Sequence, residues 1–314
     1  MGPGPALEDG PGDPLIADMA MRSLFSNKKA IFLLILPGLA VILFSIAAPV
    51  ILSVYYSLTE WAGFGKLTIV GLQNYRNILL TDRTFWLSLF NALVLMVITI
   101  FIQNPIAFIL AAILTKVKKL SRFFRTVYFV PAIISVVVIT KLWVNIFNPT
   151  YGLLNKILKG LGLQTLTAAW LSDPGTALFA VIFIMIWYGF GWALLFYYSG
   201  LVTVPKDLEE AGIIDGASPL QLYTRVIIPC ILPVIQAVLI IDVISCLKQM
   251  EIVYLSTAGA PGDRTQFIAN YLYIKAFTYS QYGYGNAISV LFVIVAVLLT
   301  VLTRRLTWQS PDVD

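Results

Sequence analysis

The 314-residue sequence has no histidine, two cysteines and few charges, with Asp, Glu, Lys and Arg making up 12% of its residues. That is about half the share of an ordinary soluble domain. Without histidine there is no imidazole acid or base and no imidazole metal ligand. Cys230 and Cys246 are sixteen positions apart; on one apolar helix that is about 24 Å, too far for a disulfide. A phosphate loop of the form G-x-x-x-x-G-K-[ST] is missing, so nucleotide energy would have to come from another chain. Beyond Glu8-Asp9 near the start of the chain, the only adjacent carboxylates are Glu209 and Glu210. No catalytic residues, metal site or cofactor are expected on this chain. What is present is apolar: 59% of residues are hydrophobic and mean hydropathy is +0.87. The surface of a single water-soluble core this size would need more charge than 21 basic and 16 acidic residues supply. The expected solvent is a lipid bilayer.

Four long stretches, 30–59, 84–115, 174–205 and 276–303, carry no charged residue at all. Each exceeds the roughly 20 apolar residues needed to cross the hydrocarbon layer. Two further stretches contain charges, Lys141 in one and Asp242, Lys248 and Glu251 in the other. The expectation is an all-α, polytopic membrane protein with six spans near 30–57, 86–115, 124–147, 176–202, 226–255 and 286–303. Together they form one transmembrane domain over 23–309. Residues 1–22, rich in Gly, Pro and acid, are expected to be a disordered leader or tail, and 310–314 a short tail. Pro131 and Asn104-Pro105 predict kinks in spans three and two.

Basic residues set the orientation. Twelve of the 21 Lys and Arg fall on the amino-terminal side of the membrane and seven on the other, with Lys141 and Lys248 inside spans. The connector KVKKLSRFFR, with five basic residues and no acid, weighs most. Both termini are therefore expected in the cytoplasm, and the net charge of +5 reads as contact with anionic headgroups rather than nucleic acid.

The segment between spans four and five, VPKDLEEAGIIDGASPLQLYTRVIIPCILP, predicts a short cytoplasmic helix over 205–216. Pro205 suits its first turn, Asp207, Glu209 and Glu210 complement the positive end of the dipole, and Gly216 suits a left-handed stop. Leu208, Ala211 and Gly212 fall on one face. After Gly216 and Pro219 a second helix runs into span five through Pro229 and Pro233.

Glu210-Ala211-Gly212, three residues, Gly216, nine residues, then Val226-x-Ile228-Pro229 resembles the EAA loop of the membrane subunits of binding-protein-dependent ABC importers, whose usual form is Glu-Ala-Ala, three residues, Gly, nine residues, Ile-x-Leu-Pro. Gly212 replaces the second Ala, a change that weakens a helix by up to about 1 kcal/mol. The resemblance runs from residue 30 over nearly the whole chain and is closest to maltose-type carbohydrate permeases. VGLQNYRNIL, FFRTVYFVPAIIS, WVNIFNPTYGLLN, WLSDPGTAL, LKQMEIVYLSTAGAPGDRT and YLYIKAFTYSQYGYGNAIS carry it. It departs at Met250-Glu251 and Ala258-Gly259-Ala260-Pro261, where the family has Phe-Asp and a Gly-Gly-Gly-Pro turn.

The resemblance implies a multi-pass subunit of a prokaryotic cell membrane that moves a sugar inward. Its partners would be a second permease, two cytoplasmic ATPase subunits carrying ATP and Mg, and an extracytoplasmic substrate-binding protein that meets the loop 256–285. Leu208, Glu210, Ala211, Gly212, Asp215, Gly216 and Ala217 would form the coupling surface for the ATPase.

Candidate substrate-path residues are Asp242, Asn104, Trp187, Tyr188, Lys248 and Glu251. An acid in mid-membrane costs roughly 2.5 to 3.5 kcal/mol on insertion scales, so Asp242 needs a reason. Two stand open: it lines a sugar cavity, or it hydrogen-bonds a neighbouring helix through Asn91, Asn104 or Lys141. Lys248 and Glu251, three apart, are expected to pair at the outer interface. Trp187 and Tyr188 are deep enough to stack on a sugar, although aromatic belts account for most such rings in membrane proteins. Two other readings remain. An ion-coupled secondary transporter would use Asp242 and Lys248 as its ion site. A membrane-embedded enzyme would need a nucleophile and base that this sequence does not offer.

Overall fold

A computed structural model describes residues 28–117 and 121–307. The expected leader, the expected tail and three residues of the basic connector lie outside that range. The chain divides into a first unit that ends at Tyr55 and a second that begins at Tyr56.

The architecture is helical. Four helices are long and apolar enough to cross a membrane: α1 (Ile31–Ser57), α3 (Arg83–Lys116), α7 (Ala177–Val202) and α13 (Tyr282–Thr307). Between α1 and α3 lie a two-stranded hairpin, β1 (Thr59–Glu60) against β2 (Thr68–Ile69), and the short helix α2 (Gln73–Leu80). The hairpin is the one exception to an all-helical reading among the described residues, with Thr59 opposite Ile69 and Glu60 opposite Thr68.

The stretches expected as spans three and five, 124–147 and 226–255, are each a bent pair of helices. The first is a pair, α4 (Ser121–Ile133) and α5 (Val136–Ile146), bent by 96°. The second is α9 (Pro219–Cys230) and α10 (Leu232–Leu247), bent by 74°. Pro233 sits in the first turn of α10, where its missing N–H leaves no hydrogen bond across the joint and its ring would clash with the carbonyl four residues back. Counting each pair as one span gives six. Cys230 and Cys246 thus lie on two different helices, and both are free. The chain leaves α10 at Lys248 and restarts as the six-residue α11 (Glu251–Ser256).

Asn104-Pro105 does not break the helix. A π turn, Thr99–Gln103, immediately precedes it and α3 continues as one 34-residue helix. The same arrangement recurs twice: Leu43–Ala47 before Ala48-Pro49 and Tyr223–Ile227 before Ile228-Pro229. Widening the turn to an i to i−5 bond absorbs the register that proline cannot hold in the usual ladder.

α7 is apolar on all sides and is correspondingly buried by its neighbours. Two glycines allow its closest approaches. A side chain at Gly191 would strike the backbone carbonyl of Tyr128 on α4, and one at Gly200 would come within 3.0 Å of Val234 on α10. Three buried clusters stack along α3: Phe85 with Ile78, Ile268 and Ile288 at its start, Ala92 and Leu95 with Ile184 and Leu247 in the middle, and Ala107 and Ala111 with Leu194, Leu222 and Ile231 near its end.

The remaining short helices are α6 (Leu153–Gly160), α8 (Lys206–Ile214) and α12 (Ile268–Tyr273), the last continued by a π turn through Thr278. α6 is strongly amphipathic and falls between the spans expected at 124–147 and 176–202.

Candidate functional site

The loop that carries the Glu-Ala-Gly motif is defined by its caps. α8 spans Lys206–Ile214, a shorter stretch than the expected 205–216, because Pro205 is extended and stands just outside the helix. At the other end Asp215 closes the helix and Gly216 adopts φ +79°. The Gly216 amide donates to the Ile213 carbonyl and the Ala217 amide donates to the Gly212 carbonyl, each at 3.0 Å. This pair of bonds is the Schellman arrangement, which requires a residue that tolerates the left-handed region. The next helix starts one residue later. The Ser218 amide donates to the Gln221 side chain at 2.9 Å and the Ser218 hydroxyl accepts from the Gln221 amide, a capping box followed by Pro219.

Gly212 turns inward. A side chain there would come within 2.9 Å of Leu222 and 3.7 Å of Val226, so this glycine lets α8 lie against α9. Leu208 is 44% exposed, and Ile213 and Ile214 are 61% and 84% exposed. Glu210, Ala211 and Asp215 are also exposed. The two isoleucines were missed in the sequence, although an apolar doublet inside so charged a helix is a readable signal. Only Ile213 and Ile214, neighbours at the C-terminal end of α8, form a short outward apolar strip, with the carboxylates of Glu210 and Asp215 also exposed.

The mid-membrane acid has found a neighbour. The Asn104 side-chain amide donates to the Asp242 carboxylate at 2.9 Å, which joins α3 to α10. Asn91 instead donates to the backbone carbonyls of Arg264 and Gln266, and Lys141 is exposed. The carbonyl oxygen of Asn104 is buried without a hydrogen-bond partner. One helical turn on, the Cys246 thiol donates to the Thr99 hydroxyl between the same two helices.

Lys248 and Glu251 do not share a helix, since α10 ends before Lys248 and α11 begins at Glu251, and among the described residues they form no ion pair. They line a common recess of about 390 Å³ with Ile241, Ile244, Ser245 and Gln249. Asp242 faces away from it. Trp187 and Tyr188 are half-buried against the middle cluster. Trp187 packs edge-on to Trp143 at 5.3 Å, inside a ring cluster that also holds Phe147 and Phe183. The structure thus brings Asn104 and Asp242 together, sets Lys248 and Glu251 around a separate recess, and places Trp187 among other rings.

The opposite end of α3 is tied by a carboxylate. Asp82 accepts from the Phe85 amide at the first turn of α3, and also from the Tyr271 and Tyr284 hydroxyls at 2.6 and 2.5 Å. Burial, and then the bond to Asp82 and its charge, push the Tyr271 phenol far above its ordinary range, so it remains a donor. Lys275 lies 5.4 to 5.5 Å from the ring centres of Tyr271, Tyr279 and Tyr284.

Residues 103–309 match the family model described as the binding-protein-dependent transport system inner membrane component. The chain is 34% identical over 282 residues to the probable ABC transporter permease protein YurN of Bacillus subtilis, covering 89% of this chain and 96% of that one. It is 30% identical over 289 residues to the trehalose/maltose transport system permease protein MalF of Thermococcus litoralis, covering 91% and 96%. Its fold is similar to a chain in the crystal structure of a bacterial ABC transporter involved in import of the acidic polysaccharide alginate, with a TM-score of 0.76, 22% identity and coverage of 94% and 98%.

Proposed function

Because the chain belongs to the family of inner membrane components of binding-protein-dependent transport systems, we propose that it is one of two membrane subunits of an ATP-driven importer that carries a sugar or related carbohydrate into the cytoplasm. It spans the membrane six times with both termini inside. ATP and Mg belong to two cytoplasmic ATPase subunits, and an extracytoplasmic binding protein delivers the substrate. This chain binds no nucleic acid and performs no covalent chemistry.

The observation that carries this reading is α8. Its helix ends are fixed by backbone bonds, yet Ile213 and Ile214 are left in solvent and Leu208, on another side of the helix, is 44% exposed, which suits a helix end whose apolar side chains seat in the groove of another protein. Glu210 meets a basic residue there, Gly212 keeps α8 against α9, and Asp215, Gly216 and Ala217 close the helix. When ATP draws the two ATPase subunits together, α8 is displaced and α9 passes that displacement to α10, whose packing against α3 changes. Asp242 and Asn104 form the contact between those two helices. Lys248, Glu251, Trp187 and Tyr188 are assigned to the substrate path. Sugar specificity follows the relatives, among them a trehalose/maltose permease subunit.

The test is to purify this chain with its partners, reconstitute it in vesicles, and measure which solutes, delivered by the binding protein, stimulate ATP hydrolysis and uptake. Uptake that persists without the ATPase subunits would overturn the proposal in favour of an ion-coupled carrier. Stimulation by no carbohydrate would remove the sugar assignment alone.

A further inference from the structure

Beside the end of α3 that faces α8 there is a groove of about 460 Å³. One wall is α3, with Ile109, Ile113 and, at the mouth, Lys116; the other is α9, with Leu220, Tyr223 and Ile228. The walls are apolar and open: Ile113 is 52% exposed and Leu220 74%. Among the described residues the only charge on the lining is Lys116, whose ammonium lies 5.3 Å from the Tyr223 ring centre and is thereby held at the rim. From Ile109 to Lys116 α3 rises about 10 Å, most of the roughly 15 Å depth of one leaflet. Beyond the rim the sequence continues with Lys118, Lys119, Arg122 and Arg125, with no acid among them. An apolar slot running most of the depth of a leaflet and ending in a cation is complementary to one molecule of a bilayer: an acyl chain below and a phosphate above.

We propose that this groove holds one acyl chain of an anionic phospholipid, with its phosphate on Lys116. The leaflet assignment rests on the reading that this end of α3 faces the cytoplasm. Because α9 forms one wall and follows α8 directly, the bound chain lies against the helix through which displacement of α8 reaches the membrane.

The test uses the full chain with its partner subunits in nanodiscs of equal parts phosphatidylcholine and phosphatidylglycerol, with the lipids kept after extraction identified by native mass spectrometry. Wild type retains phosphatidylglycerol in preference to phosphatidylcholine. Lys116→Ala lowers that preference about fivefold, the worth of one lysine near an anionic surface, and Lys116→Arg restores it. Ile113→Trp and Leu220→Trp fill the slot from opposite walls and abolish retention with Lys116 still in place. Equal retention of the two lipids by wild type would overturn the proposal. So would retention unchanged in Lys116→Ala or in both tryptophan variants, displacement of the lipid by inorganic phosphate, or a slot protected from lipid by a partner subunit. The readout needs neither ATP nor sugar, so failure of transport leaves it standing, and sugar uptake by a complex that retains no phosphatidylglycerol sinks the lipid site alone.

Discussion

The two ends of α3 are built on opposite principles. At its start nearly every polar group is spoken for: Asn74 donates to the Ser57 and Thr59 carbonyls at 2.9 Å each, the Gly283 amide reaches the Trp61 carbonyl, and Asp82 gathers a backbone amide and two phenols. Near its other end α8 is held by caps and one inward glycine and leaves its isoleucines in solvent. The first end is tied by many bonds within this chain; the second leaves apolar side chains in solvent, as docking on another protein would require. Stability and coupling should therefore respond to mutation in opposite order.

Asp82→Ala should give the largest loss of stability. It removes the cap of α3 and strands two phenols, for about 2 to 4 kcal/mol in all, read as a lowered thermal midpoint in detergent. A midpoint unchanged from wild type would erase the contrast between the two ends. Gly216→Leu places a branched side chain where φ is positive, for roughly 1 to 2 kcal/mol. It should leave membrane insertion intact while abolishing sugar-stimulated ATP hydrolysis; full stimulation in reconstituted vesicles would show that the geometry of α8 is dispensable. Asn104→Ala should shift the midpoint less, since hydrogen bonds between membrane helices average about 0.6 kcal/mol, and the informative number is apparent sugar affinity: unchanged affinity assigns Asp242 and Asn104 to helix packing, whereas weaker affinity puts them in the path. Ile214→Ser should not move the stability of the chain at all, because the side chain is already 84% exposed, yet it should weaken co-purification of the ATPase subunits; if assembly is untouched, the apolar strip is not a docking surface.

What could be read from the sequence follows the same divide. Spans with no charge for almost thirty residues were legible because nothing local competes with an apolar helix, and their observed limits, such as Ala177–Val202, fall within a few residues of those expected. The loop helix was legible too, because its stop depends on neighbours: Gly216 needs only the carbonyls of Gly212 and Ile213. Proline positions announced irregularity but not its form. Asn104-Pro105 follows a π turn in a continuous helix, whereas Pro233 stands beside a 74° joint. Lys248 and Glu251 misled because the three-residue spacing assumed a helix that ends one position too early. The Asp82 network joins residues nearly two hundred positions apart, and no local pattern in the sequence holds that information.

The 74° joint at Ile231 turns α9 and α10 into a bell crank. α9 has twelve residues, about 18 Å at the usual rise, so shifting its far end by one helical pitch, about 5.4 Å, swings it through about 17°. Pro233 has already removed the hydrogen bond that such a swing would otherwise have to break, and the rotation can pass into the bilayer without unwinding either arm.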